Sequence, residues 1–485
     1  MSSASHVPAS LPVLPGVALS GKYLLSEEPP GSRGDMLDAL PLPGRKVALL
    51  IADVVGSGPE APVAGAQVRA ILRERLGAGA GLLQSLESLD RYAHTHPELC
   101  ATTLCVATLG LDDGLFEWAT VGHPPPLLVQ PSESTFLRAT PTRPLGTGGH
   151  LTTRTTRLEP DQMVALYTDG LVTSGGRDLA AGQGMLADAA AKALVETRHT
   201  VSAVQRADDV GDRMLHTMVP HQGCTDDGAV LIAARATRPE PFALRSPATP
   251  DAVPDVRHRI NTWLDGLGAG LIDHVGLGHA VVELAANVVE HAYGEPGAQA
   301  EPDHIIEVDG RLEDDGTVCI TVGDRGRWRE PRESHGRGRG LMMASGLADA
   351  MRMVRTGRGT RVELTQRLTR PVALLRAVAE ESGARVLDES EELDIHADAA
   401  RVIASGPLDE LATDLLHAAL TRATRAGTSD AVLDLAAVTH LGSPAVQTIF
   451  EFVARAARTG THLALEAPPE SPAAQILEVV GLPAR

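Results

Sequence analysis

Four aspartates stand at turns beside apolar runs, which is where rigid backbone can aim a carboxylate. Asp35 lies in Ser32-Arg33-Gly34-Asp35-Met36-Leu37-Asp38, and Asp53 ends the run Val47-Ala48-Leu49-Leu50-Ile51-Ala52. Asp169 sits in Thr168-Asp169-Gly170 after the run Met163–Tyr167, and Asp226 in Cys224-Thr225-Asp226-Asp227 before Ala229–Ala233. Asp53 alone reads first as a cap for the next helix. The recurrence changes that reading. Carboxylates gathered at one place repel unless hard divalent cations lie between them. Mg²⁺ or Mn²⁺ with oxygen ligands fits; zinc, lacking His or Cys partners here, does not. Two such ions a few Å apart lower the pKa of a shared water and stabilise in-line attack on phosphorus.

Five segments carry a resemblance. Arg-Gly-Asp-Met-Leu-Asp, Asp-Val-Val-Gly-Ser-Gly, Val-Gly-His-Pro-Pro-Pro-Leu-Leu, Leu-Tyr-Thr-Asp-Gly-Leu-Val and Thr-Asp-Asp-Gly-Ala-Val-Leu follow the order found in SpoIIE-type serine/threonine phosphatases of the metal-dependent PPM superfamily. The likeness runs from about Leu14 to Arg235. It implies an α-β-β-α sandwich with a binuclear Mn²⁺/Mg²⁺ centre that hydrolyses phosphoserine on a small regulatory protein. Asp53 would bridge both metals, Asp35, Asp169 and Asp226 would complete the site, and Asp38 and Asp227 would support it from behind. Arg33 replaces the family's first glycine, and Ser57 replaces its histidine; neither change removes a carboxylate, so activity is expected. His123, beside three prolines, reads as structural.

A second constellation lies in Gly278–Tyr293, where Glu283, Asn287 and His291 repeat every four residues beside the apolar stripe Val281, Leu284, Val288. Such a line alone reads as a solvated face, but Asn is a poor choice inside a helix and hints at a ligand. Gly323-Asp324-Arg325-Gly326 ends a later strand, and Gly336-Arg337-Gly338-Arg339-Gly340 follows. The set resembles the GHKL ATP-binding fold of small anti-sigma-factor serine kinases. That implies ATP with Mg²⁺: Asn287 on the metal, Asp324 on the adenine amino group, and Gly336, Gly338 and Gly340 over the phosphates. Gly326 and Thr360 complete the nucleotide set. Glu283 falls where those kinases place the base that takes the serine proton, so kinase activity is a further expectation. Trp328 stands where the family has the last glycine of Asp-x-Gly-x-Gly.

The last hundred residues resemble the STAS domain of anti-sigma-factor antagonists, with Leu433-Asp434-Leu435-Ala436-Ala437-Val438-Thr439-His440-Leu441-Gly442-Ser443-Pro444-Ala445 at the signature position. Gly442 replaces the family's aspartate, leaving Ser443 without its neighbouring carboxylate, so docking is favoured over a phosphorylation switch.

These groups need three α/β units to position them, and 485 residues suffice for about three domains. The boundaries read as 12–237 for the PPM domain, 241–369 for the GHKL domain and 384–485 for the STAS domain. Val47–Ile51 reads as a strand buried on both faces, Gln67–Leu76 and Leu82–His94 as helices, and Pro371–Ser382 as a connecting helix. Asp394–Ile403 reads as a strand leading to a turn, Ser405–Asp409. The net charge of −19 opposes nucleic-acid partners and anionic membrane surfaces. The four cysteines form no CxxC pair, no apolar run reaches the length of a membrane span and no signal peptide is evident; a reduced cytoplasmic protein follows. The expected partners are a phosphorylated STAS antagonist and an anti-sigma or sigma factor, and a homodimer stays open. The reading from a different class is a non-catalytic scaffold whose modules bind each other or outside partners under ATP control.

Overall fold

The protein is described from a computed structural model. It describes residues 10–25, 34–54, 60–131, 133–200, 202–219, 227–293, 304–326, 348–356, 359–380, 383–388, 394–398, 400–408, 410–424, 429–441, 445–446, 448–449, 452–453, 456, 461–469, 471–479 and 482.

The chain opens with β1 (Ser10–Pro12), β2 (Val17–Leu25), β3 (Asp35–Leu42), β4 (Lys46–Asp53), α1 (Glu60–Gly77) and α2 (Leu82–Ala93). Then come β5 (Thr103–Gly110), β6 (Leu115–Val121), β7 (Leu127–Val129), β8 (Thr135–Phe136), β9 (Arg154–Arg157) and β10 (Met163–Tyr167). The helices α3 (Asp169–Thr173), α4 (Leu179–Glu196) and α5 (Ala203–Met218) precede β11 (Gly228–Arg235). Among the described residues the order β3-β4-β5-β6-β9 makes one sheet, packed face to face on a second that contains β2-β11-β10-β7-β8.

Strand β4 shows why this is a four-layer sandwich. Leu49 and Ile51 enter the core between the sheets with Leu37, Leu166 and Leu231. Ala48, Leu50 and Ala52 point the other way, against Val68 and Leu72 of α1 and Leu86 of α2. On the far side Tyr167 and Ile232 pack under Leu186 of α4 and Val210 and Met214 of α5. The five-residue apolar run therefore does what a strand buried on both faces requires.

The second unit comprises β12 (Phe242–Pro247), α6 (Ala252–Leu267), α7 (Leu271–Asn287), β13 (Ile305–Leu312), β14 (Thr317–Asp324), β15 (Ala350–Thr356) and β16 (Gly359–Arg367). Its antiparallel sheet, ordered β12-β13-β14-β16-β15, carries α6 and α7 on one face, where Ile260, Leu264, Val281 and Leu284 meet Ile306, Val308, Ile320 and Leu364. A π-helical turn, Val288–Ala292, follows α7 directly.

Next come β17 (Thr369–Pro371), β18 (Ala373–Glu380) and β19 (Gly383–Asp388). Here the sequence reading is corrected: Pro371–Ser382 forms no helix over its described residues. β18 pairs in parallel with β2, and β19 returns antiparallel to it, widening the first unit's second sheet. Val372 and Leu375 are buried in that unit's two cores, so strand pairing with an available edge overrides local helix propensity. The third unit holds β20 (Asp394–Asp398), β21 (Arg401–Leu408), α8 (Glu410–Ala423), β22 (Ala431–Leu441), β23 (Leu463–Glu466) and α9 (Pro472–Val479). Its sheet runs β20-β21-β22-β23 over one apolar core. The turn expected at Ser405–Asp409 is the end of β21 through Leu408 instead. Among the described residues no helix is long and apolar enough to cross a membrane.

Candidate functional site

The carboxylates come first. β3 and β4 pair antiparallel so that Asp35 stands directly across from Asp53. Their approach depends on Gly34: the Val54 N–H donates to its carbonyl at 3.2 Å, and a Cβ at Gly34 would overlap the Val54 carbonyl. Asp35 is buried and Asp53 half-buried. Thr168, fully buried at the end of β10, donates its hydroxyl to Asp35 Oδ2 at 2.7 Å and accepts from the Ala229 N–H at 2.9 Å. One side chain thus fastens β3, β10 and β11 together and leaves exposed Asp169 one residue away, at the start of α3. Asp227, just before β11, accepts from the Tyr23 hydroxyl at 2.9 Å. Asp35, Asp53 and Asp169 therefore share one end of the sandwich. Asp226, like Gly56, Ser57 and Gly58, lies outside the described residues. Among the described residues no three His, Cys, Asp or Glu side chains form a metal-holding group. The donors present are all carboxylate oxygens, which suits Mg²⁺ or Mn²⁺.

Asp38 belongs elsewhere. Three residues from Asp35 on a strand, it faces the opposite side, where Arg73 of α1 donates to it at 2.7 and 2.9 Å. The turn expected there is strand β3, and Asp38 supports the helix layer rather than the carboxylate end. His123 is buried after β6. Its Nδ1 meets the Pro124 carbonyl at 3.1 Å while Nε2 has no hydrogen-bond partner. Burial lowers its pKa to about 4, against the pull of that carbonyl and of Asp169.

The second set lies along α7 and the end of β14. Glu283 is half-buried, with His279 Nε2 at 4.0 Å from its Oε1, and burial also lowers the His279 pKa. Asn287 Nδ2 is buried without a hydrogen-bond partner, an orphaned amide of the kind a ligand satisfies. Asp324 Oδ1 accepts from the N–H groups of Gly326 at 2.8 Å and Thr360 at 3.2 Å. Burial raises the Asp324 pKa, and those two donors oppose the rise. The Tyr293 hydroxyl, absent from the sequence argument, holds this turn: it donates to the Ile305 carbonyl at 2.7 Å and accepts from the Arg325 N–H at 2.7 Å. At Gly326 a Cβ would overlap the Ala292 carbonyl, so the turn closes directly on the end of the π-helical turn after α7. The orphaned amide, the half-buried carboxylate and the close glycine fit a nucleotide with Mg²⁺. Gly336, Gly338, Gly340 and Ser443 lie outside the described residues.

The crystal structure of the RsbU and RsbW domains of Rv1364c from Mycobacterium tuberculosis is 33% identical, with a TM-score of 0.66, over 75% of this chain and 98% of that one. The chain belongs to the family of RsbU–RsbW fusions. Within this fusion, residues 43–236 match the family described as Stage II sporulation protein E (SpoIIE), 246–366 the histidine kinase-like ATPase domain, and 391–484 the Mlab, STAS domain. The phosphatase and regulatory-domain fragment of SpoIIE from Bacillus subtilis is 15% identical, with a TM-score of 0.39, over 45% of this chain and 63% of that one. The chain carries a PPM-type phosphatase domain, a kinase-like ATPase domain and a STAS domain in a partner-switching architecture.

Proposed function

We propose that the phosphatase domain is metal-dependent and removes phosphate from a phosphoserine STAS antagonist, which then engages an anti-sigma factor. The observation that carries this reading is Asp35 facing Asp53 across β3–β4, with Thr168 bridging Asp35 to β11, close in the chain to Asp169 and Asp227. Asp35, Asp53, Asp169 and Asp226 would hold two Mn²⁺ or Mg²⁺ ions, with Asp53 between them. When bound, such ions lower the pKa of a shared water and offset charge on the phosphoryl oxygens. The chain supplies orientation: Thr168 fixes one Asp35 oxygen, Gly34 lets the two strands close, and Tyr23 holds Asp227, the residue after Asp226. In the second domain Asn287 would face Mg²⁺, Asp324, Gly326 and Thr360 the adenine, and Gly336, Gly338 and Gly340 the phosphates. Glu283 would take a serine proton if that module phosphorylates a partner.

The test is hydrolysis of a phosphoserine STAS protein with and without Mn²⁺, for the wild type, Asp53→Asn and Asp169→Asn. Metal-dependent release lost in both variants supports the assignment; full activity in both removes it. A second reading, a scaffold of mutually bound modules, is favoured by Val275 of α7, which packs against the STAS core. Nucleotide-dependent partner release without any phosphate release would select it.

A further inference from the structure

The segment leaving the ATPase domain is built into the phosphatase. It is first held by Asp273, in the first turn of α7. Gln366 Nε2 donates to Asp273 Oδ1 at 3.2 Å, and the Thr369 N–H and hydroxyl donate to Oδ2 at 2.7 and 3.2 Å. The next residue, Arg370, pairs with Asp208 of α5, which also accepts from the Ser20 hydroxyl at 2.6 Å and lies 3.7 Å from Lys22 Nζ. Residues 369–371 pair with β1, and then Ala373, Leu374, Leu375 and Arg376 lie beside Lys22, Tyr23, Leu24 and Leu25 of β2. Tyr23, at the centre of that pairing, is the residue whose hydroxyl holds Asp227. A continuous set of bonded neighbours therefore joins α7 to Asp227.

α7 is a single helix, and Asn287 lies fourteen residues beyond Asp273, about 21 Å at 1.5 Å per residue. A helix that length moves as a rod. Any shift imposed at Asn287 by a ligand reaches Asp273, whose bonds to Gln366 and Thr369 must follow or break. At the joint, Arg370 Nη1 is buried without a hydrogen-bond partner, so the Asp208 pair leaves one of its donors unsatisfied.

We propose that α7 and the strand it holds transmit nucleotide occupancy to the phosphatase site, with Asp273 as the coupling residue and Tyr23 positioning Asp227. This rests on the phosphatase and nucleotide assignments above. The energetics are those of a coupling free energy, reciprocal between the sites, which places the effect at about fivefold or more.

The experiment uses the full chain. Mn²⁺-dependent hydrolysis of p-nitrophenyl phosphate is measured with and without adenylyl imidodiphosphate and Mg²⁺, nucleotide affinity by calorimetry, and hydrogen exchange over residues 17–25 and 369–380. In the wild type, nucleotide should change kcat/KM about fivefold or more and change exchange in both segments. Asp273→Ala, and the milder Thr369→Val, should bind nucleotide within about twofold of wild type yet lose most of both responses. Tyr23→Phe should weaken Mn²⁺ binding by calorimetry about tenfold, the usual cost of removing a residue that orients a ligand. Nucleotide binding that leaves both hydrolysis and exchange unchanged overturns the proposal, as does failure to bind nucleotide. Absence of hydrolysis under every condition would count against the phosphatase reading alone, because exchange in β2 still decides the coupling.

Discussion

Asp38 shows how three residues along a strand change what a carboxylate does. Its neighbour Asp35 faces Asp53 and Thr168, whereas Asp38 is sealed against α1 with two bonds from Arg73. Arg73→Ala leaves that carboxylate buried without its cation, held only by the Ala39 N–H, a loss that costs about 3–5 kcal/mol for fully buried ion pairs. The Arg73 side chain is 48% exposed, so solvent screening reduces this to about 2 kcal/mol. Urea unfolding should show that loss, while Mn²⁺ affinity stays unchanged; a large drop in metal affinity would return Asp38 to the carboxylate set. His123 gives a pH-dependent counterpart. Its folded pKa is about 4, against 6.5 when exposed, so below 6.5 the unfolded chain gains a proton that the folded chain refuses. The contribution is complete above pH 6.5 and is lost as pH falls toward 4, by up to roughly 3 kcal/mol at 1.36 kcal/mol per unit. His123→Gln should flatten the stability slope in that window, and an unaltered slope would place the acid sensitivity elsewhere.

At the scale of elements, what could be read from the sequence is what local pattern dictates. β4 was legible because five apolar residues in a row leave few alternatives, and Asp53 at its end followed. The stretch Ala373–Glu380 was not: Leu375 follows Val372 at helical spacing, and the strand forms only because β2 offers an edge more than 340 residues earlier in the chain. Thr168 and Tyr23 escaped for the same reason, their partners lying 133 and 204 residues away. Asp35-to-Asp38 was read as a turn from its glycine and two aspartates; pairing with β4 makes it a strand. Gly34 tests the element-level account of the site. Gly34→Ala must push the start of β3 off Val54 and so separate Asp35 from Asp53. Metal-dependent kcat/KM should fall at least about tenfold, since orientation of reacting groups is worth that for shifts near 1 Å. Circular dichroism should remain native, because β3 and β4 keep their remaining ladder; unchanged kinetics would mean that the two carboxylates need not face each other.

For the whole molecule, the phosphatase domain is discontinuous in sequence. Besides β18, Arg45 of the β3–β4 turn reaches Asp112 at 2.8 Å and also Asp314 of the ATPase domain, while Arg370 pairs with Asp208. The Arg45 pairs, whose carboxylates are exposed, add little individually. The apolar contribution is larger: Val372 and Leu375, 7% and 5% exposed, each remove most of a side chain from water, about 3–5 kcal/mol together. That stabilisation belongs to the phosphatase fold although its residues come after the ATPase domain. Two truncations separate this view from one in which residues 372–388 are a passive linker. A chain ended at residue 388 keeps β18 and β19 and loses only the STAS unit; a chain ended at residue 371 also loses the edge strands. The shorter chain should unfold at a Tm lower by on the order of 10 °C, given roughly 2–4 °C per kcal/mol for a domain of this size. Its β2 amides should also exchange faster, because one side of β2 is then unpaired. Equal melting of the two truncated chains, with equal exchange in β2, would mean that the strand contributes nothing to the phosphatase and that the three domains are joined only by covalent tethers.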